Sequence, residues 1–493
     1  MQFTSYSFML FFPIVLLIYF IVPKKLRELW LLITSLYFYM CWNVTYIILI
    51  LLSIVITYTC ARIVDSCDDK YKKPVMILGL VVNFGILFFF KYYGFTIDSI
   101  NAVCQKLSIG TINSKFDVLL PVGISFYTFQ AVGYTIDVYR KDIKAEKNFI
   151  RYALFVSFFP QLVAGPIERS KNILSQFEGL SKKKLWDFDR IKSGAFLLVW
   201  GYFLKMVIAD RISVIADEVF DRYYAYGTLI LFVGAAAFAF QIYCDFLSYS
   251  TIAIGAAKIM GFKLMDNFDT PYFAMSIKEF WHRWHISLST WFKDYLYIPL
   301  GGNRCSKVKK YRNLMITFLV SGLWHGANWT YVMWGGLHGF YQIVGDLLEP
   351  VRKKFRTLYN TNENSFGYKL GRIVGTYVLT VFAWIFFRAQ TISDAFSFIG
   401  RMFTHFDPWT VFDQSIFSLG LDFREMHILI MSLVLLFAVG IVRYKKRQGL
   451  DEFVCSQGPI FQAVTMYLLI LIIIIFGKYG PSEDLKAFLY FQF

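Results

Sequence analysis

The chain has 493 residues, of which 57% are hydrophobic and 20% aromatic but only 17% charged, and its mean hydropathy is +0.50. Soluble domains carry about 25% charged residues, so this composition excludes an ordinary soluble enzyme and describes a polytopic membrane protein rich in interfacial aromatics. The net charge of +16 arises from Lys/Arg clusters set between apolar runs, which points to basic cytoplasmic loops beside lipid and not to a nucleic-acid partner.

A spanning helix needs about 20 mostly apolar residues. In chain order, 5–23 reads as a retained first span, because no basic stretch precedes it. The uncharged run 29–61 is too long for one span and predicts a hairpin turning near Asn43. Spans are then predicted at 75–91, 118–138, 190–209, 225–244, 312–324, 329–347, 368–387, 427–442 and 457–477, while 149–165 fits either a span or a re-entrant piece. The fold class is therefore all-α and polytopic, with about eleven transmembrane helices plus re-entrant or interfacial helices. One integral membrane domain over 1–493 is expected, with its motif-bearing core at 118–345 and C-terminal helices from 366.

Lys24, Lys25 and Arg27 follow the first predicted span, Lys70, Lys72 and Lys73 the third, and Arg140, Lys141, Lys144 and Lys147 the fifth. Positive charge marks the cytoplasmic side, so the N-terminus is predicted outside and loops 303–312, 352–356 and 443–447 inside. Loop 388–426 is then predicted outside, where it can meet a partner. Lys205 and Asp210, near a span end, read as snorkelling side chains. Seven scattered cysteines without C-x-x-C suggest neither a disulfide framework nor a zinc knuckle, and Cys41, Cys60 and Cys244 read as small core residues. The internal repeats common in transporters are not visible.

Residues 276–295, SIKEFWHRWHISLSTWFKDY, predict one amphipathic helix. Ser276 and Glu279 have capping-box spacing at its start. Ile277, Phe280, Trp281, Trp284, Leu288, Trp291, Phe292 and Tyr295 form an apolar face, and Lys278, His282, His285, Ser289 and Lys293 form a polar stripe. Such a helix has too many charges to cross lipid, so it belongs in the interface or along a water-filled cavity. His282 and His285 form an H-x-x-H pair that could join His325 on zinc, but no H-E-x-x-H or third close ligand supports a metal.

His325, in SGLWHGANW, lies in a run without formal charge from Arg312 to Asp346. A ring at membrane depth must face a cavity or find a partner. A neutral imidazole can take a proton from a hydroxyl, or it can simply bond a neighbouring helix, and the residues alone leave both roles open. For His285 the choice depends on what lies opposite, whereas His282 reads as facing water. His338 reads as a packing or hydrogen-bonding residue, and His405 and His427 as peripheral. Asp245, in QIYCDFLSYS, is a second intramembrane charge that must be paired or wet. With no G-x-S-x-G, P-loop or dinucleotide fingerprint, an enzyme of this sequence would transfer a group directly, with histidine as base.

Several stretches in order resemble the membrane-bound O-acyltransferase family, in its alginate O-acetyltransferase-like branch. They are LPVGISFYTFQ at 120–130, FFPQLVAGPIER at 158–169, YCDFLSYSTIAIG at 243–255, NFDTPYFAMSIKEFWHRWHISLSTWFKDYLYIPLGGNR at 267–304, SGLWHGANWTYVMWGGLHG at 321–339, WIFFRAQTISDAF at 384–396 and the terminal FLYFQF. The resemblance implies helices around a central tunnel joining the two membrane faces. It implies that His325, at the constriction, and His285 are the essential histidines. Asp245, Trp324, Asn328, Ser289 and His282 are candidates to line the tunnel or touch substrate. The chain departs from the branch at Leu247, Ser248 and Thr251, which stand where Ser, Gly and Asp are common, and it carries His282 as an extra histidine.

The implied activity moves an acyl group, foremost acetyl, from a cytoplasmic thioester such as acetyl-CoA to a hydroxyl of an extracytoplasmic polysaccharide. It implies a hydrolase-like acetyltransferase partner outside a bacterial plasma membrane, and no bound cofactor. Two alternatives are D-alanyl transfer toward teichoic acid, as in a sister branch, and a non-enzymatic polysaccharide or acyl transporter whose histidines relay protons. WIFFRA, FLYFQF and the length favour the first activity.

Overall fold

Lipid offers no hydrogen-bond partners, so a spanning backbone must satisfy itself, and helices do so within one segment. Among the residues described by the computed structural model (1–113, 120–163, 165–413, 415–479 and 488–489), every regular element is helical. The first two residues of the expected span 118–138 and the last four of the terminal FLYFQF lie outside the described residues. Seven described helices are long and apolar enough to cross a membrane: Val44–Ser66, Asp69–Lys106, Phe188–Asp221, Thr228–Met260, Phe366–Arg388, Phe423–Lys446 and Pro459–Phe476. The first expected span is a shorter apolar helix, Tyr6–Ile21, of 16 residues.

Several helices outrun their apolar windows. The expected spans 75–91 and 190–209 lie within helices of 38 and 34 residues, and 225–244, from Thr228 on, lies within one of 33. At 1.5 Å per residue, about 20 residues cross the hydrocarbon, so such helices continue beyond it. The hairpin within 29–61 forms between Arg27–Met40 and Ile47–Ser66, and the side chain of Asn43 accepts the Thr45 N–H at 2.8 Å at its turn. Segment 149–165 is settled by length. Its helices, Phe149–Ser157 and Phe159–Leu162, have nine and four residues, and nine residues rise only about 14 Å.

The chain divides into two compact units. The first is Met1–Ala195 with Ile252–Met265. Its core includes Tyr152, whose hydroxyl donates to Thr57 Oγ1 at 2.6 Å, and Gln130 and Gln161, whose amides both donate to the Phe155 carbonyl at 2.7 Å. Glu168 accepts from the Met265 N–H and, at 2.7 Å, from Asn172 Nδ2; burial pushes its carboxyl up to about 7.

The second unit is Phe196–Thr251 with Asp266–Phe493, and it holds every candidate site residue. There Lys307–His325 and Trp329–Leu347 pack backbone to backbone. A Cβ on Gly322 would lie 2.2 Å from the Tyr331 carbonyl oxygen, and one on Gly335 would lie 2.2 Å from that of Phe318. These glycines fix how His325, one turn beyond Ser321, leaves its helix. Cys60 and Cys244 are buried as expected, but Cys41 is exposed, because it closes the C-terminal end of Arg27–Met40 at the hairpin turn.

Candidate active site

The expected single helix over 276–295 is broken. Ile277–Arg283 and Ile286–Phe292 are separate helices, and Lys293–Tyr297 continues as a π-helical turn. The start follows the capping logic: Ser276 Oγ accepts the Glu279 N–H at 3.1 Å, and the Glu279 carboxylate reaches back to the Met275 N–H at 2.8 Å. The break falls at His285, whose φ of 42° and ψ of 54° are left-handed. That conformation costs a non-glycine residue about 1–2 kcal/mol.

Asn267 takes over the bonds the helix loses. Its carbonyl accepts the Ile286 N–H at 3.0 Å, and its Oδ1 accepts the Ser287 N–H at 3.3 Å and the Ser287 hydroxyl at 2.6 Å. His285 therefore leaves the polar stripe on which the helical spacing put it. It is fully buried, whereas His282 stays exposed. With one ring inside and one outside, the H-x-x-H pair does not converge on a single ion, and no group of three His, Cys, Asp or Glu side chains among the described residues could hold a metal.

His325 ends the Lys307–His325 helix, 3% exposed. Its ring centroid lies 6.3 Å from that of His285, with the planes at 62°. Aromatic rings enclose the pair. Phe246 meets His285 edge-on at 4.6 Å, while Trp324 and Trp334 meet His325 at 5.0 Å and Phe387 at 5.5 Å. Burial pulls the His285 imidazole down to about 3, so it stays neutral at physiological pH.

A cavity of about 1070 Å³ adjoins this layer. It is lined by the remaining stripe residues Lys278, His282, Ser289 and Lys293, with the cations Lys310, Arg352 and Arg372 and the carboxylates Asp346 and Glu349. Trp281, Phe318 and Ser321 also line it, and Trp281 contacts Trp334, the ring that packs on His325. His282 is held below the usual histidine range by partial burial and then by Lys278 and Lys293. Ser289 donates its hydroxyl to the Trp284 carbonyl at 3.2 Å.

Other candidates have structural partners. Asn328 caps Trp329–Leu347 by accepting the Thr330 N–H at 3.0 Å, and its amide donates to the Gln390 carbonyl at 3.0 Å. Trp281 Nε1 donates to His338 Nδ1 at 3.2 Å, which leaves the proton of neutral His338 on Nε2. Asp245 is buried and paired. Lys205 Nζ lies 2.6 Å from its Oδ1, and the Leu489 N–H donates to its Oδ2 at 2.8 Å.

The snorkelling expected of Lys205 and Asp210 does not occur. Both are buried, and Lys205 bridges Asp210 at 2.9 Å and Asp245. An ammonium flanked by two carboxylates inside the fold has no reason to reach for water. The sequence reading also missed Asn267, because an amide in the turn-rich NFDTP stretch gives no sign of which distant turn it braces.

The apolar helices make the chain a multi-pass membrane protein, with two histidines from separate segments enclosed among aromatic rings. The model of the MBOAT, membrane-bound O-acyltransferase, family matches residues 141–368. A probable alginate O-acetylase of Pseudomonas syringae pv. tomato is 39% identical over 83% of this chain and 76% of its own length. A probable alginate O-acetylase of Azotobacter vinelandii is 34% identical over the whole of both chains. A peptidoglycan O-acetyltransferase of Helicobacter pylori is 36% identical over 80% of this chain and 77% of its own. The chain belongs to the membrane-bound O-acyltransferase family and is an O-acyltransferase.

Proposed function

We propose that the protein moves an acetyl group from a cytoplasmic thioester, such as acetyl-CoA, to a hydroxyl of an extracytoplasmic cell-envelope or exported polysaccharide in a bacterial plasma membrane. The observation that carries this reading is the pairing of His285 with His325, 40 residues apart in sequence and 6.3 Å apart between ring centroids. The relatives' names support the acyl group and the acceptor class, since they are acetylases of alginate and of peptidoglycan.

The thioester enters from the cavity. Lys310 is paired there with Asp346 and Glu349 adds a second carboxylate, but Lys278, Lys293, Arg352 and Arg372 suit the phosphates of a carrier. The basic segments expected as loops, 303–312 and 352–356, are largely helical, in Lys307–His325 and Glu349–Leu358, and contribute Asn303, Lys310 and Arg352 to its wall. Their positive charge supports a cytoplasmic opening, and with it an extracytoplasmic N-terminus. His325 takes the proton of the accepting hydroxyl, and the oxygen attacks the acyl carbonyl. The tetrahedral oxyanion is held by the N–H of neutral His285 or by a backbone N–H near Gly326. Collapse breaks the C–S bond, and the proton on His325 passes to the departing thiolate. The accepting hydroxyl belongs to the polysaccharide or to an extracytoplasmic hydrolase-like transferase that passes the acetyl group on.

The test is ester-linked acetate on cell-envelope polysaccharide with wild type or His325→Ala at matched membrane abundance. The reading expects acetate with the wild type and its loss with the variant. Equal acetate in both would remove His325 from the chemistry.

A further inference from the structure

The two histidines meet only because the chain breaks a helix its own sequence favours. Residues 276–295 keep helical spacing of apolar and polar positions throughout. A continuous helix would set His285 on the stripe with His282 and Ser289, on the cavity side and away from His325. A left-handed non-glycine residue persists only where its surroundings over-determine it. Here the brace is the segment 267–270. Besides its bonds to Ile286 and Ser287, Asn267 donates from Nδ2 to Ser250 Oγ at 2.9 Å, so the Thr228–Met260 helix anchors it. On the other side of the break the Asp269 N–H donates to the Arg283 carbonyl at 2.9 Å. Arg283 Nη1 in turn donates to the Asp269 carbonyl and to Thr270 Oγ1, both at 3.1 Å. Thr270 is itself left-handed, with a φ of 46°. Two strained residues thus face each other across one set of bonds.

We infer that Asn267 is a positioning residue for acyl transfer, which holds His285 in its left-handed turn and so presents its ring to His325. Asn267 is 1% exposed, its Oδ1 and Nδ2 are both hydrogen-bonded, and neither it nor Ser287 lines the cavity. Its effect should therefore fall on the chemical step and not on donor binding.

The experiment uses the full-length protein in lipid nanodiscs and compares wild type, Asn267→Ala, Asn267→Asp and Ser287→Ala. Two readouts are taken: kcat and KM for acetyl-CoA, and the rate at which diethyl pyrocarbonate modifies His285, with exposed His282 as internal reference. Asn267→Ala should lower kcat about 100-fold, as misplacement of a reacting group by about 1 Å does, with KM within threefold. His285 should then be modified about tenfold faster relative to His282. Asn267→Asp retains acceptors for both Ser287 donors and should recover most of kcat. Should Asn267→Ala not accumulate as folded protein, Ser287→Ala decides, with about tenfold lower kcat and faster His285 modification expected. An unchanged kcat together with an unchanged His285 rate overturns the inference. The kcat arm rests on the proposed function. The modification arm does not, so a wild type inactive toward acetyl-CoA would fail that reading and leave the brace still testable.

Discussion

Under the proposed function His325 has a role that a structural ring would not share: it accepts a proton in every turnover. General-base catalysis contributes about 100- to 10,000-fold, so His325→Ala is expected to lower kcat by that range without altering membrane abundance. Steady-state kinetics on purified protein, with abundance checked by fluorescence-detected chromatography, measures this. Glu168 offers a second test at this scale. Its folded pKa of about 7 lies above the unfolded carboxyl value. The folded state therefore binds this proton more tightly than the unfolded state does. Stability is greatest when Glu168 is protonated and falls as pH rises from about 4.5 to 7, by on the order of 3 kcal/mol. Melting temperature recorded across that window should fall for wild type more steeply than for Glu168→Gln, and equal slopes would contradict the assignment. The burial of His325 was legible as a lone ring in an apolar run. The place of His285 was not, because spacing put it on a face it does not occupy.

Elements were legible wherever hydrophobic runs were long, and misread where one distant polar residue reversed a local preference. The hairpin at Asn43 needed only an uncharged run and a turn residue. The break at His285 needed Asn267, and the fate of Lys205 needed carboxylates from two places in the chain, Asp210 and Asp245. Removing one partner of a buried ion pair leaves an uncompensated charge and costs about 3–5 kcal/mol. Lys205→Ala is accordingly expected to lower thermal stability strongly, and Lys205→Ala with Asp245→Asn to recover part of the loss. A double-mutant cycle of melting temperatures reads this. The glycine contact between Lys307–His325 and Trp329–Leu347 makes a sharper case. Gly322→Ala places a Cβ against the Tyr331 carbonyl, so the helices must part and His325 must move. Activity should fall at least tenfold even in molecules that still fold, whereas Gly400→Ala, which meets nothing within 4 Å and lies outside the cavity lining, should be neutral.

For the whole molecule, composition alone excluded a soluble protein, and the basic loops supplied an orientation. Cysteine labelling in intact cells tests it on a cysteine-free background. Asp407→Cys, in the loop expected outside, should react with an impermeant maleimide, and Lys307→Cys should react only after permeabilisation. The reverse pattern would invert the donor and acceptor sides. What composition and periodicity could not supply was the meeting of two histidines from separate segments, since only the folded chain brings them together. The most direct measurement of the central claim is ester-linked acetate on cell-envelope polysaccharide, compared between wild type and His325→Ala at equal abundance. The account predicts acetate with the wild type and none above background with the variant. Equal acetate in both would contradict it.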